Sequence, residues 1–205
     1  MTKLYYTPSS CGAASFIAAV AAGIKIDTEL VDIGTHVTDS GADYYAINPK
    51  GNVPALILDD GTVLNEGAAV LQYIADQAPG KIAGEYGTKE RYLVQNALNY
   101  LASEVHASYG PLFYGLQGEA KEAQLKKIGT KFDYITKNLL NGHQYLVGDK
   151  FSIADAYFYI ILSWSGYVGV DLSTHAEVKA YSEFIGALPF VVAAHAAMAT
   201  KPSST

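Results

Sequence analysis

The chain has 205 residues, half of them hydrophobic, enough for one domain or two small ones whose core needs neither disulfides nor metals. Its single cysteine cannot form an intramolecular bridge, which excludes a disulfide-stapled secreted scaffold. A net charge of −6 without a Lys/Arg block argues against nucleic acid as a partner.

The opening Met1-Thr2-Lys3-Leu4 enters a strand at once, leaving no room for a signal peptide. Leu4–Thr7 reads as a strand, broken by Pro8-Ser9-Ser10. Gly12–Ala22 reads as a helix with Phe16, Ile17, Val20 and Ala21 on one side and Gly23 as its C-cap. Thr28–Ile33 is a second strand, and strand–helix–strand implies a parallel pair with a right-handed crossover. Gly34–Gly41 is polar and loop-like. Asp43–Ile47 offers one or two helical turns, ended by Asn48-Pro49. Val53–Leu58 meets Thr62–Leu64 across Asp59-Asp60-Gly61, a strong hairpin signal. Glu66–Ala78 is a helix with Val70, Leu71, Ile74 and Ala75 apolar, stopped by Pro79-Gly80.

From Thr88 the periodicity is helical almost throughout: Arg91–Tyr109 with Pro111 as a kink or end, Glu119–Leu140, Ile153–Tyr167, Glu177–Leu188 and Phe190–Ala199. The tail Pro202–Thr205 reads as frayed. No apolar run reaches the roughly 20 residues of a membrane helix, because Ser-Trp-Ser-Gly interrupts Ala154–Val170. These signals give a βαβ–ββα domain over residues 1–79 and an all-α domain over 88–205, in a soluble, cytoplasmic protein.

Cys11 falls at the hand-over from strand to helix, where backbone N–H groups lack helical partners and an anion is favoured. A thiolate there is stabilised below the usual thiol pKa of about 8.5. Two readings stand open: reactive chemistry, or a small apolar residue packed under the strand. Val53-Pro54 places a proline in a strand, which belongs on an edge or at a bulge. Only about 5–6% of X–Pro bonds are cis, so trans is the residue-level expectation; a cis bond would free the Val53 backbone to pair with a peptide ligand.

Glu66-Gly67 opens a helix directly after a strand. The carboxylate there stabilises the helix, or holds a ligand's ammonium while the free N–H groups take its carboxylate. Asn99, Ala102, His106, Tyr109 and Phe113 recur at helical spacing, with His106 the one ionisable group among them. The other histidines, His36, His143, His175 and His195, show no metal-site spacing. Phe151-Ser152-Ile-Ala-Asp155 is a capping box with Asp in the Glu position, a structural signal. Trp164, Tyr157, Tyr167, Phe113 and Tyr114 are core fillers or the lining of an apolar pocket.

In their joint order and spacing these stretches resemble the cytosolic glutathione transferases, and among them the bacterial beta class, over nearly the whole chain. The stretches that carry the likeness are Lys3-Leu-Tyr-Tyr6 with Cys11, Asp43-Tyr44 into Asn48-Pro-Lys-Gly51, and Val53-Pro-Ala-Leu56. They continue with Leu58-Asp-Asp-Gly-Thr62, Glu66-Gly67 with Gln72-Tyr73, Asn99-Tyr100, Glu104-Val-His106, Pro111-Leu-Phe113 and Phe151–Ala156.

The resemblance implies a thioredoxin-like N-terminal domain joined to a helical domain, assembled as a homodimer. Glutathione is then a co-substrate and no cofactor is needed. By the same resemblance Pro54 is cis, the Val53 backbone pairs with the cysteinyl part of glutathione, and Glu66 and Gly67 hold its γ-glutamyl end. His36 falls where a glutathione-contacting basic residue is often found. Cys11 stands beside the glutathione sulfur, His106 approaches the same sulfur, and Asn99 reaches the glutathione site across the dimer. Ser10 and Tyr6 are rival thiolate partners.

Tyr109, Phe113 and Trp164 would hold a hydrophobic electrophile for conjugation. The alternatives are a glutathione-dependent monothiol disulfide reductase built on Cys11-Gly-Ala-Ala14, and a non-catalytic carrier of apolar ligands. Two positions depart from the class pattern: Ala107 stands where lysine is common, and Gly12 where a small hydroxyl residue is frequent.

Overall fold

The computed structural model describes residues 2–200, so the expected fraying of the tail lies outside the described residues. The chain divides into two compact units: residues up to Ile82 together with those from Leu188 onward, and Ala83–Ala187.

The first unit is built on a five-stranded mixed sheet. Its strands are β1 (Lys3–Tyr6), β2 (Asp27–Asp32), β3 (Val37–Thr38), β4 (Ala55–Ile57) and β5 (Val63–Leu64), in the order β3-β2-β1-β4-β5. The expected parallel pair is β1–β2, in register Lys3↔Asp27 to Tyr6↔Leu30; the other pairings are antiparallel. The Asp59-Asp60-Gly61 turn joins β4 to β5, with Leu58 N–H donating to Thr62 C=O at 2.8 Å. Strand β3 falls in the stretch read as loop. Its two residues pair with β2, and that is too short a run for any alternation to show.

Helix α1 (Gly12–Ala22) has the expected bounds but a different buried face. Ala13, Ala14, Ile17, Ala18 and Ala22 are buried, while Phe16, Val20 and Ala21 are half-buried. The reason is that α1 is covered on several sides: it contacts β1, α2 (Gly67–Asp76) and α9 (Pro189–Ala199). Small side chains let three elements approach one helix. Helix α9 therefore belongs with the first unit, which corrects the expectation of a single second domain running from 88 to the end. The opposite face of the sheet holds a second cluster of Tyr5, Val31, Tyr44, Val53 and Ala55.

Glu29 on β2 ties the sheet to the turn after β3. It accepts from Lys3 Nζ, from Ser40 N–H at 3.2 Å and from the Ser40 hydroxyl at 2.5 Å. Burial pushes its carboxyl upward, but the hydrogen bonds from Lys3, Ser40 and Thr38 outweigh burial and hold it at about 2. A folded pKa below the usual 4.5 gives stability that is full above that value and lost as pH falls toward about 2. Glu29→Gln is therefore expected to cost on the order of 2 kcal/mol at pH 7, with the gap narrowing as pH drops below about 4.5. Urea midpoints across pH measure this; a gap that stayed constant with pH would rule out the ionised Glu29 as its source.

The second unit is helical. One continuous run comprises α3 (Lys89–Tyr100), a π-helical segment Leu101–His106 and α4 (Ala107–Phe113), with Pro111 inside α4. Next come α5 (Gly118–Tyr134) with a π-helical segment Ile135–Leu140, α6 (Ile153–Ser163), α7 (Ser165–Val168) and α8 (Ala176–Gly186). The capping box is formed at the start of α6: Ser152 N–H donates to Asp155 Oδ2 at 2.8 Å, and Ala154 N–H to Ser152 Oγ at 3.3 Å. Among the described residues no single helix is long and apolar enough to cross a membrane.

Candidate functional site

Val53-Pro54 lies just ahead of β4, which is paired on both sides by β1 and β5, so this proline sits before an interior strand and not on the expected edge. The Val53–Pro54 bond is cis, against the residue-level expectation and in line with the resemblance. Cys11 is the N-cap of α1, and its thiol donates to Val53 C=O at 3.0 Å. Burial is the main influence on this thiol. It outweighs the favourable N–H groups of Cys11 and Gly12, the Glu66 charge adds a smaller upward push, and the thiol reaches about 11. Desolvation here exceeds the attraction of the helix start, which favours the neutral thiol over the thiolate that the helix start alone would favour.

The rival hydroxyls are occupied or enclosed. Ser10 Oγ donates to Thr7 C=O at 2.8 Å and accepts from Gly12 N–H at 3.2 Å, so it holds the turn into α1. Tyr6 is fully buried and stacked on Phe16 with centroids 5.5 Å apart. Burial first, and the Asp39 charge second, push its phenol up to about 12. Tyr6 is therefore a core residue and not a ligand contact. Gly12 follows from the same packing, since a Cβ there would lie 2.8 Å from Tyr6 Cβ; a hydroxyl-bearing side chain does not fit.

Glu66 is the N-cap of α2 without a side-chain cap bond, and its Oε1 lies 2.5 Å from Lys50 Nζ. The loop that carries Lys50 and Val53 is organised by the fully buried Asn48. Its Nδ2 donates to Asn52 C=O at 2.6 Å, and its Oδ1 accepts from Asn65 Nδ2 at 2.9 Å. Tyr44 donates to the same Asn52 carbonyl at 2.8 Å. His36 adopts a left-handed backbone at φ 57° and stacks on Tyr45 with centroids 4.4 Å apart. Neither Asn48, Lys50 nor Tyr45 stood out in sequence as a site residue. The signal was there in Asn48-Pro-Lys-Gly51, which reads locally as a turn.

In the second unit His106 Nδ1 lies 2.7 Å from the Tyr157 hydroxyl, and its ring sits 4.9 Å from that of Trp164. Burial lowers its pKa below the usual histidine value, so the neutral ring is favoured. Phe113, 44% exposed, meets Trp164 edge-on at 5.6 Å and the exposed Tyr167 at 6.0 Å. Tyr109 corrects an expectation: it is fully buried, with its hydroxyl 2.9 Å from Ser165 Oγ, and does not line a pocket. Asn99 is exposed on α3, its carbonyl accepting from the Ser103 hydroxyl at 2.8 Å. His106, Tyr109 and Phe113 all meet the Trp164 ring, at 4.9, 6.0 and 5.6 Å, and so share one face of the run; the π-helical segment Leu101–His106 lies between Asn99 and the last two of them.

Sequence and structure comparisons agree with this architecture. Residues 8–77 match the family model of the glutathione S-transferase N-terminal domain, and residues 85–189 that of the C-terminal domain. Glutathione S-transferase GstA of Escherichia coli O157:H7 is 36% identical over 191 residues, covering 92% of this chain and 94% of that protein. The structure of a sphingomonad glutathione S-transferase complexed with glutathione superposes with a TM-score of 0.89 at 36% identity, covering 97% of this chain and all of that one. The beta-class enzyme of Sphingomonas chungbukensis does so with a TM-score of 0.87 at 37% identity, covering 96% and 98%.

The chain belongs to the glutathione transferase family, and its activity is glutathione transfer. Within that family it stands with the bacterial beta class.

Proposed function

We propose that the chain binds glutathione along the Val53 backbone, just ahead of β4, and joins its sulfur to hydrophobic electrophiles, as a cytoplasmic homodimer. The γ-glutamyl end lies at Glu66, Gly67 and the start of α2. The cysteinyl backbone pairs with Val53, and the glycyl end runs toward His36. The observation that carries this reading is the 3.0 Å contact between the Cys11 thiol and Val53 C=O, which sets a sulfur donor beside the backbone that would hold the cysteinyl residue. On binding, the Cys11 thiol would exchange that carbonyl for the glutathione sulfur. A neutral S–H donates to a thiolate and so lowers the cost of forming it, without itself becoming the nucleophile.

Burial pushes the Cys11 thiol up, which supports conjugation over monothiol disulfide exchange, since the latter needs Cys11 as an attacking thiolate. In the second unit the exposed Phe113, set edge-on against the buried Trp164, offers the apolar surface for the electrophile. Asn99 and His106 keep the roles the resemblance implies, with His106 acting as a neutral group.

The test pairs calorimetric titration of glutathione with conjugation to an aryl halide. Glu66→Ala is expected to raise the KM for glutathione about tenfold with little change in kcat, the loss of one charge-assisted contact to the ligand's ammonium. Failure of the wild-type protein to bind glutathione, or an unchanged KM in Glu66→Ala, would refute the assignment.

A further inference from the structure

The His36 ring is fixed from three directions. Its backbone is left-handed at φ 57°, unusual for a residue with a side chain. Its ring lies on the Tyr45 ring, centroids 4.4 Å apart and planes 20° from parallel, with the Tyr45 hydroxyl 3.3 Å from Nε2. Gly51 closes the third side. A Cβ at Gly51 would stand 2.9 Å from both His36 Cδ2 and Nε2 and 2.8 Å from Tyr45 Cε1. Gly51 also has φ +70°, so the absence of a side chain there serves both the turn and the two rings. Val53 follows two residues later in the chain, within about 7 Å even when extended.

The Tyr45 side chain is half in solvent and fills no core position. Its contacts with His36 need another reason. Tyr45 is held at its base, where Asp43 accepts from Tyr45 N–H at 2.9 Å to cap the short helical turn Tyr44–Ala46.

We infer that Tyr45 is a positioning residue for glutathione, holding the His36 imidazole ready for the tripeptide's glycyl end. This rests on the binding mode proposed above. A free histidine ring must lose rotamer freedom when it meets a ligand, at a cost of about 0.5–1.5 kcal/mol, which is roughly a two- to tenfold loss in affinity. The stack with Tyr45 removes that freedom before the ligand arrives. Tyr45 touches no reacting atom and acts only through His36.

Steady-state conjugation with an aryl halide tests this, using glutathione and γ-glutamylcysteine as alternative thiols. Tyr45→Leu is expected to raise the KM for glutathione about two- to tenfold while kcat stays within about twofold. Tyr45→Phe keeps the stacked ring and should restore a near-normal KM. With γ-glutamylcysteine, which has no glycyl end, Tyr45→Leu and wild type should coincide. In a His36→Ala background Tyr45→Leu should add nothing. An unchanged KM in Tyr45→Leu, an equal penalty with γ-glutamylcysteine, or a full penalty without His36 each overturns the inference. If wild-type protein does not bind glutathione at all, the binding mode itself fails instead, so the two failures are distinct.

Discussion

At pH 8 the Cys11 thiol is expected to react with iodoacetamide about two hundredfold more slowly than an unperturbed cysteine. The nucleophile is the thiolate, and an ordinary thiol with a pKa of about 8.5 is roughly a quarter ionised at that pH. Cys11 is held at about 11, where the ionised fraction is on the order of a thousandth. The cause is local: Cys11 is half-buried, its surroundings desolvate the sulfur, and its proton is engaged by Val53 C=O. The neutral thiol is the favoured folded form. Its contribution to stability is therefore complete below the usual thiol pKa of about 8.5 and disappears as pH rises through about 11. Alkylation rates followed across pH give the apparent pKa directly; a midpoint at or below about 8.5 would restore the reactive-thiolate reading. In the same protein Cys11→Ala should abolish any mixed disulfide with glutathione and still conjugate an aryl halide at a reduced rate.

Asp155→Ala is expected to lower the stability of the chain by about 4 kcal/mol. The carboxylate is fully buried and accepts four hydrogen bonds. Ser152 N–H and Ser152 Oγ each reach Oδ2 at 2.8 Å; Leu146 N–H and the Tyr181 hydroxyl each reach Oδ1 at 2.9 Å. Burial pushes its pKa up and the four donors pull it partly back. Loss of the helix cap alone is worth about 1 kcal/mol. The remainder comes from Leu146 N–H and Tyr181, which the substitution leaves enclosed without an acceptor, at about 1–3 kcal/mol each. Ser152→Ala removes less and should cost about 1 kcal/mol. Urea unfolding of both variants gives the comparison; a loss of under about 1 kcal/mol for Asp155→Ala would show that the segment around Leu146 does not depend on this carboxylate.

Much of the fold was legible because its boundaries are marked by strong local chemistry. Gly23 stops α1 where its left-handed φ of 72° is needed, and Asp60-Gly61 turns β4 into β5. Ser152 and Asp155 announce α6. What escaped the sequence depends on neighbours distant along the chain. The buried face of α1 is set by the elements packed around it, so hydrophobic spacing within the helix could not reveal it.

The site divides along the same line. The cis bond at Pro54 agreed with the family pattern, and Cys11 lies beside Val53. Tyr6, Ser10 and Tyr109 were chosen as chemical groups in the right stretch, but burial and local hydrogen bonds commit each to the scaffold. The two readings of Cys11 stayed open in the sequence because a helix start is visible there and desolvation is not.

Helix α9 buries Val191, Ala194 and Met198 and lies on α1, although some 165 residues separate the two along the chain. During synthesis the N-terminal sheet can assemble early, yet the outer side of α1 stays bare until residues near 199 have left the ribosome. The nascent chain thus carries one side of α1 uncovered while some 165 further residues are made, although β1 and α2 can already cover its other sides.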